Sequence, residues 1–346
     1  MAEFEVPQPI ICSPFDEPSE HWLIQEGAEP RRDPGRRPAH YFYRAPGQDA
    51  GAEGAPVGER VELALVNLVR DRVRQWRVEG WPGVTGTTLE LLEYWRRDGR
   101  EKRLFFAQLE AAETVVFLIE ARRDFLQGID IPADEPSDER RAEGVKAFTR
   151  YACKMATGSG KTTVMAMLAA WSILNKVHRH ANANYSDVVL VVCPNVTIRS
   201  RLAELDPQRG DASLYRTRDI IPPHLMPDLQ RGRVLVTNWH VFEPQSMQAG
   251  GVSAKVMKAG VRRRVREFIN IGPKTTSARG KRYLTLDELA RQRAAGLLDI
   301  IDEELDPGGN LKRVFVESEK YVQSDTAVIA RVLGRAVGGK QNILVL

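Results

Sequence analysis

From Glu59 onward the apolar residues fall at helical intervals. Val61, Leu65, Leu68, Val69, Val73 and Trp76 recur with arginines between them, the period of a helix with one buried stripe. Trp81-Pro-Gly83 breaks the run. A second helix is predicted from about Thr88 to Arg97. A third runs from near Phe106 to about Phe125, with Leu109, Ala112, Val116 and Ile119 on one stripe. After an acidic, proline-containing loop at 129–140 the pattern changes. Val188–Val192 is a continuous apolar run, which suits a parallel strand covered on both faces. Pro194 stops it, and a helix follows around Thr197 to Leu205. Val234–Val236 and Ile343–Leu346 read as further buried strands. Strands alternating with helices predict an α/β fold with a doubly wound parallel sheet.

The same reading divides the chain. Residues 1–56 are rich in Pro, Gly and Arg and predict an extended arm, with a short strand at Tyr41-Phe42-Tyr43. Residues 57–128 form a helical accessory region. Residues 145–346 form the α/β domain, with an insertion at about 245–339 that is basic and helical at first. No internal repeat is evident.

The helix pattern Val164–Leu174 is preceded by Tyr151-Ala-Cys-Lys-Met-Ala-Thr-Gly-Ser-Gly-Lys161-Thr162-Thr163. Phe148, Tyr151 and Cys153 lead in as a strand. Strand, small-residue turn and helix is the context of a phosphate-binding loop. Gly158 and Gly160 lack a Cβ, so the backbone can wrap round phosphate oxygens, with Thr157 and Ser159 completing the turn. Loop amides and the helix N-terminus favour negative charge. Lys161 would reach the β- and γ-phosphates, Thr162 would ligate magnesium, and Thr163 would help hold the nearby phosphates. The strict pattern asks for Gly at 155, where this chain has Met155. The bland alternative is a glycine-rich turn before an ordinary core helix.

Hydrophobic content of 42% and charged content of 28% are those of an ordinary globular protein. The net charge of +4 allows nucleic acid as a partner without demanding it. Arginines cluster at Arg31, Arg32, Arg36 and Arg37, and at Arg262, Arg263 and Arg264, and a solvated basic surface explains either cluster. Cys12, Cys153 and Cys193 lack metal-ligand spacing, and their odd number suggests a reducing compartment. Cys153 and Cys193 read as buried small hydrophobes at strand ends. Met1–Pro7 holds no basic residue, unlike a secretory leader, and no apolar run approaches membrane-spanning length. The expected location is the cytoplasm.

The order Phe105-Phe106-Ala107-Gln108, Lys154–Thr162, Val192-Cys-Pro-Asn-Val-Thr-Ile-Arg199 and Val236-Thr-Asn-Trp-His240 resembles the first ATPase domain of superfamily 2 helicases of the DEAD/DEAH type. The resemblance is to the restriction (Res) subunit of type III restriction enzymes, also described as a helicase/UvrB N-terminal domain. Ser13-Pro-Phe-Asp-Glu-Pro18 and Arg36-Arg-Pro38 extend it toward the N-terminus. It implies a RecA-like fold, ATP and Mg2+ as cofactors, and DNA, double-stranded, as partner. It also implies a modification (methyltransferase) subunit. Gln108 would read the adenine edge with its donor and acceptor, or is a solvated glutamine on a first helical turn. Arg199 and Arg201 would contact the nucleic-acid backbone, or are ordinary exposed helix charges. Thr237 and Asn238, at a strand end, would make a second such contact, or simply cap a turn. His240 reads as structural and Trp239 as core.

The family also needs an Asp-Glu box directly after a buried strand. Asp302-Glu303-Glu304 is the tempting match, but Thr285 and Glu288 form a capping box opening a helix. Leu297, Ile301 and Leu305 then fall on one face of that helix, leaving the acidic residues on its solvated side. Ile343–Leu346 is instead the strand after which the box would begin. The expectation is a chain that stops before it, binds ATP and turns it over poorly. Two alternatives stand beside the ATP-dependent helicase or translocase. One is a non-catalytic nucleotide- or DNA-binding fragment or remnant. The other is a P-loop enzyme of another branch, such as a kinase or a transporter ATPase; the absence of a Leu-Ser-Gly-Gly-Gln signature counts against the transporter.

Overall fold

The structure is a computed structural model that describes residues 8–24, 28–43, 59–142, 144–194, 196–242, 260–272, 283–334 and 342–346. Its contacts divide the chain into two compact units, Met1–Thr237 with Gly339–Leu346, and Asn238–Gly338.

In the first unit, the N-terminal segment pairs β1 (Glu20–Leu23) with β2 (Arg31–Pro34), and β3 (His40–Tyr43) with β4 (Glu59–Glu62), both antiparallel. Only the strand at 41–43 is foreseen by the sequence. The others are four residues long and largely polar, so no alternation announces them. Val61, assigned above to a helix, lies in β4. The segment is anchored by its own motif: Phe106 N–H donates to the Pro14 carbonyl at 2.8 Å, Phe15 stacks near Phe105, and Arg74 binds Glu17.

Three helices follow: α1 (Ala64–Val78), α2 (Gly86–Arg96) and α3 (Phe106–Glu120). Thr85 caps α2 by accepting from Thr88 N–H. The third helix stops five residues before Phe125, where Ala121 turns extended. Phe125 is nevertheless buried, and burial without helix misled the periodicity. Two carboxylates, one buried and one half-buried, tie these helices together. Glu113 on α3, 1% exposed, is gripped by Arg77 of α1 and Arg96 of α2. Glu120 accepts from Thr85 N–H, Thr88 Oγ1 and Trp171 Nε1.

After α4 (Asp138–Ala142) comes α5 (Lys161–His178), buried along nearly its whole length from Thr163 to Val177. It is apolar all round because it is the centre of the core, with α2 and α3 packed on it. Then come β5 (Val188–Cys193), α6 (Val196–Leu202), α7 (Leu214–Thr217), α8 (Met226–Leu229) and β6 (Arg233–Asn238). β5 is the middle strand of a sheet between the strand Leu344–Val345 and β6. Leu344 and Val345 pair in parallel with Val189 and Leu190. Arg233 N–H donates to the Asp187 carbonyl at one end of β5, and Cys193 Sγ to the Thr237 carbonyl at the other. β5 and β6 therefore also run in one direction. The unit is mixed α/β with a parallel sheet.

The predicted lead-in strand is a correction. Among the described residues, 149–156 belong to no strand, and Phe148 makes only an isolated bridge to Asp134. Cys153 is exposed, whereas Cys193 is buried as expected. The physical reason lies in composition. Val188–Val192 is uninterrupted and apolar, while Thr149, Arg150 and Lys154 interleave the apolar residues of the lead-in.

The second unit holds β7 (Gly260–Ile271), β8 (Tyr283–Leu284), α9 (Leu286–Ala294), β9 (Asp299–Leu305), β10 (Leu311–Gln323) and α10 (Asp325–Leu333). The sheet order is β8-β7-β10-β9, over a core of Ile269, Leu284, Leu289, Leu298, Val314 and Val316. The helical opening expected of the insertion falls partly on 243–259, outside the described residues. Its arginine-rich continuation is β7, where Val265, Ile269 and Ile271 alternate with polar residues. Asp302-Glu303-Glu304 also needs correcting. Thr285 and Glu288 do form the capping box, but the helix ends at Ala294 and Gly296 turns left-handed at φ +66°. Asp299–Leu305 is a strand. Leu298 is buried and Ile300 packs on the core, while Leu297, Ile301 and Leu305 are exposed. The run is extended rather than helical, with a bulge that leaves Ile301 out of the register with β10. Asp302 and Glu303 are solvated, as expected, and Glu304 pairs with Arg313 and Lys312.

Candidate functional site

The site is built on the N-terminus of α5. Gly158 and Gly160 sit at φ +79° and +81°, a region that glycine enters without strain. Ser159 Oγ donates to the Ala156 carbonyl and closes the turn. Lys161 folds back across the loop, its Nζ 3.0 Å from the Met155 carbonyl and 2.9 Å from that of Ala156. Thr157 is exposed, Thr162 half-buried and Thr163 buried.

Gln108 reaches this loop from the first turn of α3 and is buried. Its Oε1 accepts from Phe105 N–H at 2.9 Å, and its Nε2 donates to the Ser159 carbonyl at 3.1 Å. One amide hydrogen and one oxygen lone pair are left over. A Cβ built on Gly160 would stand 1.9 Å from Gln108 Nε2, so the loop and the glutamine are fitted to each other.

The orientation of α5 fixes the loop against the sheet. Ser172, in the second half of α5, bonds both backbone groups of Ser186 just before β5. Ile173 lies against Gly232, just before β6. The C-terminal half of α5 therefore lies at the start of both strands, and its loop points toward their C-terminal ends. Ligands bind at that edge in open α/β sheets. Arg199 and Arg201 follow β5 on α6, exposed, and Thr237 and Asn238 end β6, half-buried. Topology thus puts Arg199, Arg201 and Thr237 on the loop's edge, and Gln108 is brought into direct contact with the loop. Trp239, expected in the core, is exposed and stacks on His240.

Sequence reasoning missed Glu110, two residues beyond Gln108 on α3. It receives both guanidinium nitrogens of Arg36. The Arg36-Arg37 cluster was visible, but nothing in the spacing named its partner.

Residues 101–238 match the family model described as type III restriction enzyme, res subunit. That family is one of helicase superfamily 2 N-terminal domains, and the matched stretch is less than half of the chain. The match begins just before Gln108 and ends with β6, so it encloses the glutamine, the loop, α5 and both long parallel strands. The family implies a RecA-like fold and an ATP-dependent, helicase-like function. No curated protein and no solved structure matches the chain. Among the described residues, no helix is long and apolar enough to cross a membrane, and no group of three metal-ligating side chains converges.

Proposed function

We propose that this chain binds ATP with Mg2+ at the Thr157–Thr163 loop, as the first ATPase domain of a DNA helicase or translocase of a type III restriction system. The observation that carries the reading is the Lys161 ammonium, folded onto two loop carbonyls at the N-terminus of a long buried helix. Those carbonyls are weak partners that a polyphosphate would replace. The residues fit the nucleotide. Two glycines without side chains open the backbone, Lys161 and the α5 amides supply positive charge, and Thr162 and Thr163 supply hydroxyls. ATP would supply the free energy for movement along DNA. Gln108 would offer its free donor and lone pair to adenine while keeping Ser159 in place. Arg199, Arg201, Thr237 and Asn238 would hold the backbone of double-stranded DNA. In this reading residues 1–56 and 57–128 are an arm and an accessory region, 145–346 the ATPase domain, and about 245–339 its insertion. A methyltransferase subunit would be the partner and the cytoplasm the location.

The test is equilibrium binding of a fluorescent ATP analogue with Mg2+ to the purified chain and to Lys161→Ala, with folding checked by circular dichroism. Saturable binding that the substitution abolishes is expected. Equal affinity in both proteins would overturn the loop assignment.

A further inference from the structure

A cleft of about 440 Å³ lies behind the phosphate loop, between α1, α3 and the segment Arg150–Ala156. Its size is that of a small-molecule site. Its walls are apolar: Leu65, Val66 and Val69 come from α1, Ala111, Val115 and Leu118 from α3. Arg36, Arg70, Arg150 and Lys154 stand at the same cleft with Glu110 as its acidic residue. Three of these five charges are already matched, since Arg36 is forked on Glu110 and Arg150 pairs with Asp134.

Arg70 is different. It lines the cleft half-buried, and among the described residues it makes no hydrogen bond or ion pair. Burial, and after it the charge of Arg36, holds its guanidinium below the usual arginine range, although the more distant charges of Glu110 and Asp71 pull the other way without bonding it. A half-buried guanidinium without a partner is costly and so points to a missing anion. The far wall includes Met155, Ala156 and Ser159. Met155 and Ala156 carry the carbonyls that hold Lys161, and Ser159 the one that holds Gln108.

We propose that this cleft is a second ligand site, for a small organic anion whose flat or aliphatic body lies between α1 and α3 and whose carboxylate, sulfonate or phosphate pairs with Arg70. Because one wall is the phosphate loop, occupancy would be felt there. The proposal is independent of whether the loop binds ATP.

The probe is 1-anilinonaphthalene-8-sulfonate, an aromatic body with one anionic group, titrated into the folded chain by fluorescence and compared with the neutral N-phenyl-1-naphthylamine. The expected result is saturable binding of one sulfonate probe per chain. Arg70→Gln should weaken the sulfonate at least tenfold and leave the neutral probe unchanged. Ala111→Trp, which fills the cleft, should remove both. Melting curves confirm that both variants fold. Lys161→Ala should leave probe binding intact, which separates this site from the nucleotide loop. Full sulfonate affinity in Arg70→Gln or Ala111→Trp would overturn the proposal. So would loss of binding in Lys161→Ala together with full displacement by ATP, which would make the cleft part of the nucleotide site.

Discussion

Gln108 Nε2 occupies the space in which a side chain on Gly160 would stand, 1.9 Å from an ideal Cβ. The two residues are far apart in sequence, on the first turn of α3 and at the last loop position before α5. Their fit couples the glutamine segment to the glycine loop before α5 through the Ser159 carbonyl. Gly160 is therefore constrained twice, by this approach and by its left-handed backbone at φ +81°. Gly160→Ala should lose more than the ~1–2 kcal/mol of the backbone term alone. Because Gln108→Ala removes the clash along with its own two hydrogen bonds, the double variant should be less destabilised than the sum of the two singles. Urea unfolding of the two single variants and the double variant measures it, and purely additive effects would show that the residues do not touch.

Glu113 is a carboxylate at 1% exposure between two arginines from different helices. Its removal leaves Arg96 partly buried and unmatched, and leaves Arg77 only its longer contact with Glu17 at 3.6 Å. Glu113→Ala should destabilise the fold by about 3–5 kcal/mol. Arg77→Ala should cost less, because Arg96 still neutralises the acid. If urea unfolding gives Glu113→Ala a loss under about 1 kcal/mol, comparable to a surface pair, the three-helix clasp is not a unit.

What was legible in the sequence was what a local pattern can carry. Val188–Val192, buried, and Val234–Val236, partly buried, are continuous apolar runs, the pattern of strands in a covered parallel sheet. The glycine turn at the start of α5 was legible because Gly158 and Gly160 stand directly before a long apolar helix pattern. The lead-in to that loop was misread because motif context was given more weight than its interleaved Thr149, Arg150 and Lys154. Leu297, Ile301 and Leu305 mimic a helical stripe although all three are exposed: Leu297 precedes β9, Ile301 sits in its bulge and Leu305 ends it. Arg36 with Glu110, and Arg70 without a partner, were invisible because they depend on which helices meet.

Asp219 gives a pH signature. Burial disfavours its charge, but hydrogen bonds from Tyr94 and Arg97, and the charges of Arg97 and Arg100, outweigh it and hold the carboxyl below its ordinary value. A carboxylate with a lowered folded pKa contributes stability that is fully present above the unfolded pKa of about 3.9 and lost as pH falls through the lower folded value. Asp219→Asn should thus be less stable than the parent near neutrality, with the difference shrinking below about pH 4. Asparagine tolerates the residue's positive φ of 56°, so backbone strain does not confuse the comparison. A difference independent of pH down to the acid transition would count against the network.

The last prediction distinguishes the observed lead-in from the one the loop's motif suggests. If Tyr151–Cys153 were a central strand, Cys153 would be as protected as Cys193. In the structure Cys153 is exposed while Cys193 is buried at the end of β5. Burial of the sulfur among neighbouring atoms still pushes the Cys153 thiol up, so its thiolate fraction is low at neutral pH and labelling is best run above pH 8. Iodoacetamide should then modify Cys153 in the folded chain within minutes and Cys193 only on unfolding, as read by peptide mass mapping. Equal protection of both would mean that the lead-in enters the sheet. The cleft wall formed by Arg150–Ala156 would then have to be redrawn, and with it the site assigned to Arg70.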